Sequence, residues 1–200
     1  MGVKSVLQDV PSVALGSSEV TLLEMTQAFA HLPNNGNAVA PYVITEIRND
    51  KGDVLYQREG DYQIGILGKN SVKMMNSMLM DVVQNGTARA ANFGRDAAGK
   101  TGTSQGSRDG WFIGYTPELV TGVWVGNDNN SKTKGVTGGG LPARMWREYM
   151  QAALAQTPSK SLDVNPYPEV QGTPWKNSGS GGKSGSSSSQ GFWDGLLGSD

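Results

Sequence analysis

Between Gly99 and Asn127 three extended runs follow one another with only turn-length gaps: "GKTGTSQ", "WFIGYT" and "LVTGVWVGN". Val, Ile, Trp, Phe, Tyr and Thr dominate the last two, the residues that fit a pleated, half-buried surface. "PE" makes the turn between them. Consecutive strands joined by links this short pair antiparallel, so the stretch predicts a meander. Pro142 then opens a helix that would place Trp146, Tyr149, Met150 and Ala153 on one face. An antiparallel sheet covered by amphipathic helices is an α+β architecture.

The chain ahead of the meander carries matching signals. Thr21-x-x-Glu24 is a capping box, and Leu22, Met25, Phe29 and Leu32 recur behind it at helical spacing until "PNNG" stops the pattern. "YVITEIR" and "DVLYQR", joined by "NDKG", predict a hairpin. Ser71 is the predicted cap of a helix with an apolar stripe of Met75, Met78, Leu79, Val82 and Val83, ending at Gly86, and the Met residues are expected in the core.

Composition divides the chain. Residues 1–157 read as globular. From Pro158 the sequence turns Pro-rich and polar, then into the Gly/Ser run "KNSGSGGKSGSSSSQG", which cannot bury a core. Residues 158–200 are therefore expected to form a flexible tail that can be removed without changing the melting of the rest. Its final "FWDGLLGSD" is either part of that tail or a short docking peptide.

Several function classes drop out. Lys plus Arg total 17 against 18 Asp plus Glu, with no long single-sign run, so nothing points to nucleic acid. There is no Cys, which removes thiolate metal sites and disulfides. His31 is the only His, so any Ser-His-Asp triad would have to use it. It falls at the end of the first predicted helix, where a capping or surface role is expected. No metal and no cofactor are predicted. No apolar run reaches about 18 residues, so no membrane span is predicted, and "MGVKSVLQDV" lacks the features of a signal peptide.

The chemistry concentrates in Lys100-Thr101-Gly102-Thr103. On a strand Thr101 and Thr103 share one face, and Lys100 and Gly102 the other. Two hydroxyls on one face can both donate to a carboxylate. Lys100 adds a compact positive charge. Gly102 lets another backbone come close, as an extended peptide adding alongside would need. The Thr103 N–H is a candidate oxyanion donor. A K-T-G triplet arises by chance in such a chain on the order of a few per cent of the time, so the surrounding segments must carry the reading.

They do so by resemblance. Lys100-Thr101-Gly102 matches the third motif of the penicillin-recognising serine enzymes. "MNSMLMDVVQNGTARAA", "AGKTGTSQGSRDGWFIGYTPELVTGVWVGND", "TGGGLPARMWREYM" and "PSVALGSSEVTLLEMTQAFAHLPNNG" closely resemble the transpeptidase domain of bifunctional class A penicillin-binding proteins, over roughly Val3 to Leu154. The resemblance implies a serine β-lactamase/transpeptidase-like fold, here incomplete. It implies cross-linking of peptidoglycan stem peptides by serine acyl transfer, penicillin and other β-lactams as ligands, and a place at the periplasmic face of a bacterial inner membrane. It assigns carboxylate binding and the oxyanion hole to Lys100, Thr101, Gly102 and Thr103.

Two of the family's three motifs are not found where they belong. S-x-N does not occur, and S-x-x-K occurs only as Ser131–Lys134 and Ser180–Lys183, both after K-T-G. A nucleophilic Ser of this type starts a buried helix, so that its Lys loses charge and accepts a proton. Neither match has an apolar helix behind it. The nucleophile is therefore expected outside this chain, in an upstream part of the transpeptidase domain, and the chain is expected to be inactive alone. The alternatives are a non-catalytic peptide- or protein-binding module that keeps the strand, or a serine β-lactamase relative.

Overall fold

A computed structural model describes residues 1–60 and 65–165, all within one compact unit. The first helix, α1 (Leu22–Ala30), begins as its sequence dictates. Thr21 Oγ1 accepts from the Glu24 N–H at 3.2 Å, and a Glu24 carboxylate oxygen accepts from the Thr21 N–H at 3.0 Å. The same carboxylate takes the N–H groups of Lys4 and Ser5, at 2.8 and 2.9 Å, and the Ser5 hydroxyl at 2.7 Å. The cap thereby ties the N-terminal segment to the helix.

His31 closes α1 and is buried, which corrects the surface half of its predicted role and keeps the capping half. Its Nδ1 lies 2.8 Å from the Gln27 carbonyl and 3.1 Å from that of Ala28. Carbonyls only accept, so Nδ1 carries the proton. The ring can be buried because last-turn carbonyls satisfy its donor.

The hairpin forms, but shorter than its sequence runs. β1 (Glu46–Arg48) pairs antiparallel with β2 (Val54–Gln57), with a register break after Ile47. Asn49 builds the turn: its Oδ1 accepts from the N–H groups of Lys51 and Asp53, at 3.0 and 2.8 Å. Every residue of both strands is exposed.

The second helix, α2 (Lys69–Gln84), departs from prediction in two ways. Gly68 is its N-cap, and Ser71 lies inside the first turn without capping. Its buried face is Val72, Asn76, Leu79 and Val83, while Met75 and Met78 are 39% and 40% exposed. The Met residues are thus not core. An Asn occupies the centre of the face because both ends of its amide are hydrogen-bonded. Asn76 Oδ1 accepts from the Tyr115 hydroxyl at 2.8 Å, and Nδ2 donates to the Asp163 carbonyl at 2.8 Å.

The meander is present: β3 (Ala98–Thr103), β4 (Asp109–Tyr115) and β5 (Val120–Gly126) form an antiparallel sheet in that order. The third helix, α3 (Leu141–Ala153), follows. The strand period sorts the side chains. Phe112 and Val123, opposite one another, meet Trp146, Met150 and Ala143 of α3. Trp146 packs edge-on against Phe112 and Phe93, and its indole N–H reaches the Gly114 carbonyl at 3.2 Å. Gly122, on the other face, lies under Leu22 and Thr26 of α1. The sheet therefore sits between α1 and α3. Tyr149 and Ala153 fall outside the buried face of α3, which is Pro142, Ala143, Trp146 and Met150.

Packing does not stop at Thr157. Leu162 is buried beside Leu79, Ala98 and Tyr115. Its N–H reaches Asp96 at 3.3 Å, the Lys160 N–H reaches Glu118 at 2.9 Å, and Asp163 pairs with Lys73 at 3.0 Å. Residues 158–165 thus strap back across α2 and the sheet, where composition alone placed the start of a tail. The "FWDGLLGSD" segment lies outside the described residues.

Candidate active site wall

The K-T-G residues lie in the middle of β3 with the alternation predicted for them. Thr101 stands opposite Phe112, and Gly102 opposite Trp111. Thr101 and Thr103 therefore project on the α3 side, and Lys100 and Gly102 on the α1 side. Lys100 and Thr103 are exposed, and Thr101 and Gly102 half-buried. The Lys100 ammonium donates to the Thr101 carbonyl at 2.8 Å, folding back along its own strand.

The loop leading into α3 closes over the threonines. The Gly138 N–H donates to Thr103 Oγ1 at 3.1 Å. A Cβ at Gly138 would come within 2.3 Å of the Trp111 carbonyl and 2.5 Å of the Gly102 carbonyl. A Cβ at Gly139 would sit 2.1 Å from the Thr87 carbonyl. Gly138 is thus required by close approach to β3, and Gly139 by close approach to Thr87. Thr87, just past the end of α2, places its Oγ1 2.9 Å from Thr101 Oγ1. Sequence reasoning named neither Thr87 nor the glycines as site residues, although the Gly run after a polar loop was a usable signal.

The far end of β3 is braced. The Ser104 hydroxyl accepts from the Asp109 N–H at 2.9 Å, and the Ser107 carbonyl accepts from the Thr133 N–H at 2.9 Å. Arg108 donates to the Asn130 carbonyl. The connection after β3 is thereby tied to the long loop after β5. Asp109 accepts from the Trp124 indole at 3.2 Å. Burial pushes the Asp109 carboxyl up, but hydrogen bonds from Ser104, Trp124 and Trp111 outweigh it and hold the group below the usual carboxylate range.

This arrangement can hold an anionic, extended ligand. It offers two hydroxyls on one face, a Lys from the other face whose ammonium lies along the strand at the Thr101 carbonyl, and a β3 outer edge with no strand partner among the described residues. Ser131 and Lys134 lie in the loop after β5, outside any helix, and the Ser131 backbone N–H donates to Asn129. Ser180 and Lys183 lie outside the described residues. Among the described residues no group of three His, Cys, Asp or Glu could hold a metal. No helix there is long and apolar enough to cross a membrane. A concavity of about 580 Å³ beside the hairpin, lined by residues that include Tyr42, Glu46 and Arg58, contains none of the K-T-G residues.

Residues 3–151 match the family described as "Penicillin binding protein transpeptidase domain". Among curated relatives, penicillin-binding protein 1A of Aquifex aeolicus is 36% identical over 157 residues, covering 78% of this chain and 22% of the relative. Penicillin-binding protein 2D of Bacillus subtilis is 34% identical over 170 residues, covering 80% and 24%. The chain spans less than a quarter of either relative. Among solved structures, the penicillin-binding protein PonA1 of Mycobacterium tuberculosis superposes with a TM-score of 0.70 at 27% identity, covering 78% of this chain and 46% of that one. The same protein in complex with penicillin V gives 0.70 at 26%, covering 84% and 53%.

Proposed function

The chain belongs to the penicillin-binding protein transpeptidase family, as part of a class A type domain, and from that premise we propose that its K-T-G strand is the carboxylate-binding wall of a peptidoglycan D,D-transpeptidase site. The observation that carries this reading is the pair of threonine hydroxyls on one face of β3, each with a hydrogen-bonding group behind it. Thr101 and Thr103 donate to the terminal carboxylate of a D-Ala-D-Ala stem peptide, or to the carboxylate of a β-lactam. Lys100 supplies positive potential, and Gly102 admits the peptide backbone. The Thr103 N–H stabilises the oxyanion as a serine oxygen adds to the scissile carbonyl. Collapse of that adduct expels D-Ala and leaves an acyl-serine, which an acceptor amine then takes over.

The serine is proposed to come from outside this sequence. S-x-N is absent, and the Ser131–Lys134 match lies in a loop rather than at the start of a buried helix. Exposed apolar side chains fit that reading: Met74, Met75 and Met78 on α2, and Leu141, Met145 and Tyr149 on α3. These are surfaces that the remainder of a transpeptidase domain would cover. The chain alone is then inactive, and its transpeptidase portion is residues 1–157 with the strap packed on it. Its place would be the periplasmic face of a bacterial inner membrane. That PonA1 has been captured with penicillin V supports the same ligand class here.

The test is Thr101→Val in the complete transpeptidase. Acylation by a carboxylate-bearing penicillin should slow by roughly 10- to 100-fold, as loss of a hydrogen bond to a charged group implies, with little change in melting temperature. Equal acylation rates in variant and parent would remove the assignment.

A further inference from the structure

Thr87 lies off β3 but against one of its site-facing hydroxyls. It follows Gly86, past the C-terminus of α2. The next residue, Ala88, is fully buried, and its N–H bonds the Val82 carbonyl at 2.9 Å. The Thr87 carbonyl faces Gly139, where a Cβ would come within 2.1 Å. Thr87 is therefore gripped between the end of α2 and the loop into α3, and it presents its hydroxyl 2.9 Å from that of Thr101.

A hydroxyl has one proton to give and two lone pairs to offer. Thr101 can donate to a ligand carboxylate only if its proton is not already committed to Thr87. The pair must then run from Thr87 to Thr101. We infer that Thr87 is a positioning residue: it donates to Thr101 Oγ1, fixes that hydroxyl and leaves its proton aimed at the substrate carboxylate. This rests on the reading of Thr101 given above. Thr103 is arranged on the same plan, since the Gly138 N–H donates to its oxygen. Each carboxylate donor is thus backed by a donor of its own, and such chains strengthen their outer bond.

The test compares acylation of the complete transpeptidase by a penicillin and by its methyl ester, which lacks the anionic carboxylate. Thr87→Val should slow the penicillin about fivefold, the size of one neutral hydrogen bond, and leave the ester within about twofold. Thr87→Ser, which keeps the hydroxyl, should restore the penicillin rate. Thr87→Ala, which adds no apolar bulk, is read beside Val in case Val disturbs folding. Equal slowing of both compounds, or no rescue by Ser, would overturn the positioning role in favour of a structural one. Thr101→Val in the same assay separates the two readings. If it fails to distinguish penicillin from ester, the Thr101 assignment falls. If it distinguishes them and Thr87→Val does not, only the Thr87 inference falls.

Discussion

Glu24 shows how much one side chain can organise when its neighbours arrive from two segments. Hydrogen bonds from the Ser5 hydroxyl first, then from the Thr21 and Lys4 N–H groups, hold its carboxyl well below the usual carboxylate range. A folded-state pKa below the unfolded value of about 4.3 means stability that is present above that value and lost as pH falls toward the folded one. Glu24→Gln should therefore lower the melting temperature at neutral pH and flatten its decline below about pH 4.3. Thermal melts of the two proteins across pH 2–7 give the check, and parallel curves would contradict it. The capping box was legible because Thr21 and Glu24 are neighbours in sequence. The Lys4 and Ser5 half was not, since nothing local says where an N-terminal segment returns. His31 was legible as a cap but not as buried, because burial depends on which elements pack around α1.

At the scale of elements, the meander and its flanking helices follow from period and turn residues. The departures at α2 and at the strap share a cause. Apolar pattern puts the face of α2 on its apolar residues, whereas its centre is Asn76, bonded to Tyr115 and to the Asp163 carbonyl. A pattern that scores polarity cannot foresee a polar residue whose partners lie far along the chain. The same partners explain the strap. Pro-rich, polar composition hid Leu162, whose side chain is buried against α2 and β3. Leu162→Ala should cost about 2–3 kcal/mol, measured by urea unfolding of the chain, and truncation after Thr157 should lower the melting temperature. A shift below about 0.5 kcal/mol, the size of an ordinary surface change, would mean that the strap contributes no packing. In the site the strand alternation was readable, but the Thr87–Thr101 pair was not. It joins residues on two elements whose approach depends on the glycine loop.

For the whole molecule, the sheet and its two covering helices carry the strand proposed as the carboxylate-binding wall, with Lys100 and Thr103 exposed on it. The decisive experiment is covalent labelling of the purified chain with a fluorescent penicillin, read by intact mass, first alone and then with the S-x-x-K-bearing part of the domain supplied. The expected result is no adduct on the folded chain alone, and an adduct on the added part once the two are combined. A stoichiometric adduct on the chain alone that maps to a single serine, Ser131 being the first candidate, would contradict the assignment of the nucleophile to another part of the protein.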